Sequence, residues 1–407
     1  MSSYSHRGYE HRTGGYGRRR HKASGFRSKN RGSGVLKGTV AVVTVLAAVA
    51  LVYLFADNII PFISYFDRTP DIETADTPSD TDTAVVETAS EPTANGYFDP
   101  VDSKIFVSDG CGYTVFKGID TTARYYSAVL NSISSSVSSN INIYNAVIPT
   151  NTELGLSQPV KGSHSQTENL DIIRSALSDR VTSIDLYSAL SEHKSEYIYF
   201  HTDELMTSLG GYYCYKQIAL AAAFDEKHVY SRAALSEKSG VIDGFKGSYI
   251  ARTTDTQKQP LGNPILSSNP DKIEYYKIPV NYNCFSVKPN GDRIETDLFS
   301  EKGIGDDLLK IFPAKDTPLM TVELPQTSET GKLLIVKDHA AEPVIGYLIP
   351  HFKEVHIVDV NLYSGDLREY INTNEITDIL FINGIDDANN SLYCRRLRDK
   401  FDNSISN

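Results

Sequence analysis

The sequence predicts an α/β domain with a three-layer, mainly parallel sheet and a β-rich insertion, preceded by one N-terminal transmembrane helix. From residue 98 onward, apolar runs of strand length alternate with segments of helical periodicity. This alternation is typical of a parallel sheet with helices on both faces. Upstream, residues 38–55 are an uncharged apolar run. As a helix the run spans about 27 Å, close to the roughly 30 Å hydrocarbon core of a bilayer.

The composition excludes several classes of protein. With 40% hydrophobic and 22% charged residues, the chain of 407 residues is neither wholly disordered nor a polytopic membrane protein. The net charge of −11 is uneven: residues 1–37 hold ten Lys or Arg and one acid, a charge of +9 that leaves −20 for the remainder. Because so acidic a domain repels phosphates, no nucleic-acid partner is expected.

The first 97 residues divide into a tail, a membrane segment and a stalk. Residues 1–37 predict a basic, disordered cytoplasmic tail, which either attaches to anionic lipid or serves only as an orientation signal. Residues 38–56 predict a transmembrane helix. A cleaved signal peptide is the alternative, but its apolar region usually has only about 7 to 15 residues. Residues 57–97, rich in Asp, Glu, Thr and Pro, predict an extended acidic stalk.

The charges that flank the apolar run predict its orientation. Basic residues precede the run, and acidic residues follow it. The positive-inside rule therefore predicts a single-pass cell-membrane protein with a cytoplasmic N-terminus. Residues 98–407 would then form an extracytoplasmic domain.

The elements of this domain follow from apolar spacing in chain order. Val129, Ile133 and Val137 lie at helical spacing, and the run that ends at Pro149 has the length of a buried strand. Thr207 is placed to cap a helix that runs to about Phe224. The predicted helices are 121–137, 169–178, 186–194, 207–224, 343–351 and 366–373, and the predicted strands are 143–149, 181–184, 197–201, 332–336, 355–359 and 378–382.

Residues 240–300 predict a β-rich insertion at the edge of the sheet. Short β-like runs at Gly247–Ala251 and Tyr275–Pro279 interrupt the alternation. Pro289-Asn290-Gly291 is a hairpin signal.

Parallel sheets bind ligands at the carboxyl ends of their strands. Two junctions are therefore candidate ligand sites: Phe200 to Thr207 at the end of the strand at 197–201, and Lys337 to Ala340 after the strand at 332–336.

At these junctions the sequence resembles the bacterial DHHW proteins, a branch of the SGNH-hydrolase-like superfamily that includes the alginate O-acetylation proteins. The resemblance covers nearly all of residues 98–407. It rests on Tyr197-Ile198-Tyr199 before Thr202-Asp203, on Thr207-Ser208-Leu209-Gly210, on Lys332-Leu333-Leu334-Ile335-Val336-Lys337-Asp338 and on Glu354-Val355-His356-Ile357-Val358-Asp359. It implies an SGNH-hydrolase-like fold and a role in the modification of cell-envelope polysaccharide by acetylation.

The sequence departs from the family motif at two of three positions of a serine triad. The family reads Thr-Asp-His-His-Trp-Thr and Lys-Asp-Ser, and an Asp-x-His pair activates a serine in its relatives. In this chain Asp203 is retained, Leu205 stands at the position of the histidine, and His339 stands at that of the serine. Leucine cannot accept a proton, and histidine has no hydroxyl to acylate.

Two interpretations of function follow. One is a catalytically silent relative, a binding or scaffolding module in polysaccharide modification. The other is an active carbohydrate esterase or O-acetyltransferase with a rearranged centre. Ligand-binding candidates are Glu204, Asp338, His339 and Asn361, the last standing where the family has arginine. Asp203 is either a structural acceptor of backbone N–H groups or a ligand contact.

The sequence implies no cofactor. His201, Asp203, Glu204, Asp338 and His339 are a conceivable set of metal ligands, but no established ligand spacing supports a metal site. Cys111, Cys214, Cys284 and Cys394 allow three full disulfide pairings, among which the sequence does not choose. The expected partners are the membrane, through residues 38–56, and cell-envelope polysaccharide or an O-acyltransferase.

Overall fold

The computed structural model describes residues 94–236, 239–299 and 307–402. The predicted tail and transmembrane helix, and all of the stalk up to residue 93, lie outside the described residues. Within the described ranges, no helix combines the length and the apolar character needed to cross a bilayer. The fold includes the last residues assigned to the stalk, because the Ala94 N–H donates to the Pro159 carbonyl at 3.0 Å.

The described residues form strands and helices that we number in chain order. The strands are β1 (Tyr97–Phe98), β2 (Ile105–Ser108), β3 (Cys111–Thr114), β4 (Asn142–Ile148), β5 (Thr182–Ile184), β6 (Ser239–Phe245), β7 (Asp271–Tyr276), β8 (Asn283–Val287), β9 (Arg293–Glu295), β10 (Leu319–Glu323), β11 (Lys332–Lys337), β12 (Glu354–Asp359) and β13 (Asp378–Gly384). The helices are α1 (Asp120–Ser136), α2 (Asn151–Leu154), α3 (Gln166–Ala176), α4 (Leu186–Ser191), α5 (Ser208–Ala221), α6 (Arg232–Ser236), α7 (Ser248–Arg252), α8 (Pro264–Ser268), α9 (Glu342–Leu348), α10 (Leu367–Thr373), α11 (Ile385–Ala388) and α12 (Ser391–Asp399).

A large central sheet of eight strands organises the domain, in the order β5-β4-β13-β11-β12-β10-β8-β9. Five neighbouring strands, β5, β4, β13, β11 and β12, are parallel to one another. The other three, β10, β8 and β9, continue the sheet in antiparallel pairing. The fold is thus mixed α/β, with a parallel half that carries the site and an antiparallel half at the other edge.

Helices cover both faces of the sheet, as the buried runs in its strands require. Along β11, Leu333 and Ile335 pack into one hydrophobic cluster with α4, α5 and α9. Leu334 and Val336 point to the opposite face and pack with α1, α3, α10 and α12. Since successive residues of a strand alternate between faces, one apolar strand contributes to both cores.

Several predicted elements are confirmed within a few residues. These are α1, α3, α4, α5, α9 and α10, and the strands β4, β5, β11, β12 and β13. The Thr207 Oγ1 accepts the Gly210 N–H at 3.3 Å, as expected of a helix cap. Pro289-Asn290-Gly291 lies in the turn between β8 and β9, at the sheet edge as predicted.

Other predicted elements are wrong. Residues 197–201 form no strand and make only an isolated bridge between Tyr199 and Met206. Ile198, Tyr199 and Phe200 are all buried, and a continuous apolar run of this kind has the sequence pattern of a central strand. The run Gly247–Ala251 lies mostly in α7, and Tyr275–Pro279 overlaps only the end of β7. Strands β1, β2, β3 and β10 were not predicted.

Candidate functional site

The two predicted junctions meet at the carboxyl ends of β11 and β13. The Glu204 Oε1 lies 3.4 Å from the His339 Nε2, and the two side chains are 33% and 54% exposed. Arg252, at the end of α7, places its Nη1 3.6 Å from the other Glu204 oxygen and its Nε 2.9 Å from the Asp102 Oδ2. The structure therefore joins four separate parts of the chain in one open polar cluster.

The pair of Glu204 and His339 is charged near neutral pH. Burial by itself lowers the pKa of His339, but the hydrogen bond with Glu204 and the charge of Asp338 outweigh it and raise that pKa to about 10. The same hydrogen bond lowers the pKa of Glu204. A protonated imidazole cannot accept a proton, so His339 is poorly suited to act as a general base.

Asp203 has a structural role in this geometry. Its side chain is buried, and its two carboxylate oxygens accept the backbone N–H groups of Leu205 at 2.9 Å and Ser248 at 2.6 Å. Burial raises the pKa of Asp203 despite these bonds. The carboxylate therefore holds the loop after Phe200 against the start of α7, and its oxygens point at backbone rather than at an imidazole.

Leu205 faces the hydrophobic core. Its side chain is 2% exposed and packs in the same cluster as Leu209 and Tyr215. Its carbonyl accepts the Phe200 N–H at 3.2 Å, which closes the loop. The position that holds a histidine in the family motif is thus part of the core in this chain.

Asp338 ties the ends of two parallel strands together. One of its oxygens accepts the Ala340 N–H at 2.9 Å and caps the turn that follows, and the other accepts the Gly384 N–H at 2.7 Å from β13. Its side chain is also hydrogen-bonded to Asp387. Burial raises the pKa of Asp338 and raises that of Asp387 to about 7, so the two carboxyls share a proton near neutral pH.

Lys337, the last residue of β11, is a fully buried charge next to the site. Its Nζ lies 3.0 Å from the Glu342 Oε1 and 3.0 Å from the Asp359 Oδ2. Burial by itself lowers the pKa of Lys337, but the two carboxylates outweigh it and raise the pKa, so the ammonium stays charged. Burial raises the pKa of Glu342, and the neighbouring Lys337 charge partly offsets this rise.

Two of the predicted polar residues lie outside the cluster. Asn361 is exposed, and its Oδ1 accepts from the Arg396 Nη1 at 2.8 Å. His201 is held by Asp271, whose Oδ1 accepts its backbone N–H at 2.9 Å. In the described part of the chain, no group of three His, Cys, Asp or Glu residues is arranged to hold a metal ion. The four cysteines are unpaired thiols.

Sequence reasoning missed Arg252, Asp102 and the acidic pair Asp386-Asp387. The acidic pair had a usable signal, because it directly follows β13 and so occupies the carboxyl end of a parallel strand. Arg252 and Asp102 had no local signal, since only the packing of α7 against the loop after β1 brings them together.

The chain is similar to known proteins in both sequence and fold. The family model described as DHHW protein matches residues 71–358. A DHHW family protein from Eubacterium siraeum is 24% identical, with a TM-score of 0.62 over 73% of this chain and 95% of that one. Bacillus cereus PatB1 is 18% identical, with a TM-score of 0.58 over 71% of this chain and 98% of that one. PatB1 with a sulfonyl adduct is also similar, at 17% identity and a TM-score of 0.57, with the same coverage of each chain.

No curated protein matches this chain. The family match covers more than half of the sequence and includes both junctions of the site. Asp203-Glu204-Leu205-Met206 stands where the family motif reads Asp-His-His-Trp. The chain therefore belongs to the DHHW family and carries a degenerate form of its motif.

Proposed function

We propose that this protein is a catalytically silent DHHW protein that binds polysaccharide at the outer side of the cell membrane. It would serve as a binding or scaffolding module for the modification of cell-envelope polysaccharide. The observation that carries the proposal is that neither of the two replaced triad positions holds a group able to act in a serine triad. His339 is occupied by an ion pair with Glu204, and Leu205 is buried in the core.

The loss of two triad positions removes most of the catalytic power expected of a serine triad. In such triads, removal of the nucleophile or the base alone costs on the order of 10⁶ in rate, about 8 kcal/mol of barrier. Leu205 and His339 replace both groups. What remains is an open, polar surface at the carboxyl ends of parallel strands, which is where such sheets bind ligands.

The membrane location is part of the proposal and rests on the sequence. Residues 38–56 supply the apolar run, and ten basic residues precede it. The charged stalk would lift the domain into the envelope, where polysaccharide and a membrane O-acyltransferase are the expected partners. Protease added to wall-stripped cells should remove the domain and spare an epitope at the N-terminus. Cleavage of that epitope in intact cells would contradict this topology.

An active enzyme with a rearranged centre is the second candidate. The carboxylate–imidazole contact between Glu204 and His339 favours it, because such pairs orient catalytic histidines. Two features weigh against it. The histidine is held in its protonated form, and among the described residues no hydroxyl or thiol is hydrogen-bonded to it.

Turnover of an activated acetyl ester decides between the two candidates. The full-length protein, purified in a non-ionic detergent, should turn over well below 1 s⁻¹, the low end of the ordinary enzyme range. A sulfonyl reagent should leave no adduct on a serine side chain. The matched control is His339→Gln, which should leave the trace rate unchanged. Turnover of about 1 s⁻¹ or more that His339→Gln abolishes would overturn the silent assignment and favour the rearranged enzyme.

A Leu205→His, His339→Ser double variant tests whether the scaffold keeps a catalytic shape. Because Leu205 lies in the core, the introduced imidazole must first be accommodated there, and the variant is checked for folding by circular dichroism. Activity that appears only in this variant would support the silent assignment of the natural sequence.

A further inference from the structure

A lysine-lined cleft opens beside the candidate site. Its volume is about 550 Å³, and Asp386 and Asn389 form part of its wall, so the cleft starts at the end of β13. Its other walls come from the segments on either side of β2 and β3 and from the loop before α3. Lys104, Lys117 and Lys161 line it together with Phe98 and Thr114.

The three lysines have no acidic partner within the described ranges. Lys227, Lys272 and Lys332, elsewhere in the domain, each have a carboxylate oxygen within 4.0 Å of the Nζ. No such ion pair involves Lys104, Lys117 or Lys161 in the described residues; the Lys117 Nζ instead donates to the Gly162 carbonyl. All three side chains are exposed, so burial does not explain their presence.

Unpaired positive charge in one cleft is notable in so acidic a protein. Residues 38–407 carry a net charge of −20, which repels a polyanion from most of the surface. Three neighbouring ammonium groups reverse that sign locally. Asp386 is the one acid among the lining residues, so positive charge predominates in the cleft and attracts ligands of the opposite sign.

The remaining walls of the cleft suit a sugar chain. Phe98 is 38% exposed and is held by an edge-on contact with Phe106, at a distance of 5.3 Å between ring centroids. Such a ring offers an apolar flank to the carbon face of a sugar, while Thr114 and Asn389 supply hydrogen-bonding groups. Asp386, in the wall of the cleft, lies close enough to Glu204 and His339 for their charges to act on it.

We propose that this cleft binds a segment of an anionic glycan, whose carboxylate or phosphodiester groups contact Lys104, Lys117 and Lys161. The bound chain would run from the lysines past Asp386 towards Glu204 and His339. The inference rests on the proposed function and names the substrate class that the silent module holds.

Binding of defined polymers to the full-length protein in non-ionic detergent tests this assignment. The probes are polygalacturonate, which carries carboxylates, poly(glycerol phosphate), which carries phosphodiesters, and neutral dextran of similar length. At least one anionic polymer should bind, more weakly at high salt because the Debye length falls from about 10 Å at 0.1 M to about 3 Å at 1 M. The anionic polymer that binds more tightly identifies the charged group, and dextran should not bind.

Charge reversal within the cleft provides the matched comparison. The Lys104→Glu, Lys117→Glu, Lys161→Glu variant should weaken binding roughly tenfold or more, since three attractive contacts become repulsive. The control variant reverses three exposed lysines elsewhere, Lys194→Glu, Lys288→Glu and Lys310→Glu, and has the same net charge. It should lose less than about threefold, through long-range repulsion alone. Melting curves establish that both variants fold.

Three results would overturn the cleft assignment: neither anionic polymer binds, dextran binds as tightly as the anionic polymers do, or the two variants lose binding equally. All three results are independent of the catalytic test. Efficient ester turnover with intact, lysine-dependent glycan binding would overturn the silent function and keep the cleft. If the protein neither turns over the ester nor binds an anionic glycan, the silent function is kept and the cleft assignment is overturned.

Discussion

The Nε2 of His339 lies 3.4 Å from the Oε1 of Glu204 and links the loop after β11 to the loop before α5. Glu204, which stands within the family motif, and His339, which stands at the position of the nucleophile, thus form an ion pair. The pair is half exposed, so solvent screens it and its contribution to stability is small.

We predict that Glu204→Gln lowers the pKa of His339, because the hydrogen bond that raises it loses its charge. Titration of the imidazole resonances by NMR measures this. A raised histidine pKa stabilises the fold below the unfolded-state value of about 6.5. That contribution disappears as the pH rises through the folded-state pKa of about 10. The control Glu295→Gln, at the exposed hairpin, should leave the titration unchanged; an identical shift there would contradict the assignment.

Leu205→His should destabilise the domain. The substitution removes a buried apolar side chain and places a polar ring among core residues, at a cost of about 3 kcal/mol or more in the free energy of unfolding. Urea denaturation measures the loss. Leu261→His, at a leucine that is 79% exposed, should change stability by no more than about 0.5 kcal/mol. Equal effects would show that Leu205 does not lie in the core.

Asp203→Ala should also lower the free energy of unfolding of the domain. Asp203 is the one triad position that the sequence retains, but its contacts are structural. The substitution leaves the N–H groups of Leu205 and Ser248 without their acceptor, at about 1 to 3 kcal/mol each. Hydrogen exchange at these two amides should rise in the variant. Asp243→Ala, at an exposed position, is the control. Unchanged stability together with a change in ester turnover would instead assign Asp203 a chemical role.

Lys337→Met should cost about 3 to 5 kcal/mol, because it strands buried carboxylates without a counter-charge. Addition of Glu342→Gln should recover part of the loss, since one of the two stranded acids becomes neutral. Calorimetric melting of the single and double variants measures both effects. Lys272→Met removes a surface ion pair with Glu274 and should cost at most about 1 kcal/mol. No recovery in the double variant would argue against electrostatic coupling between Lys337 and Glu342.

The carboxyl pair of Asp338 and Asp387 predicts a pH effect of definite sign. The pKa of Asp387 is raised to about 7, so the folded state binds a proton that the unfolded state releases above about pH 4. This group therefore favours folding as the pH falls from 8 to 5, by at most about 1.4 kcal/mol per pH unit.

Asp387→Asn should remove this contribution, so its stability relative to the natural protein should be greatest at pH 8 and smallest at pH 5. Asp292→Asn, in the exposed hairpin turn, is the control. The opposite sign of slope would show that the pair holds no extra proton.

The sequence by itself determined the alternation of elements, the family and the altered motif. Strands β11, β12 and β13 were predictable because their apolar runs are continuous, and the Thr207 cap because its signal lies within four residues. The positions of Asp203, Leu205 and His339 relative to the motif also follow from the sequence, since a motif is a linear pattern.

Only the tertiary structure decided what these residues contact. The fold of the loop at 200–206 decides three contacts: Asp203 accepts backbone N–H groups, Leu205 faces the core, and Glu204 pairs with His339. The sequence did not predict this loop, because the strand predicted at 197–201 was wrong. Arg252, which belongs to the insertion, contacts Glu204 in the site. Asn361 lies outside the site and is hydrogen-bonded to Arg396. Such contacts join residues far apart in sequence through side chains whose direction no local periodicity specifies.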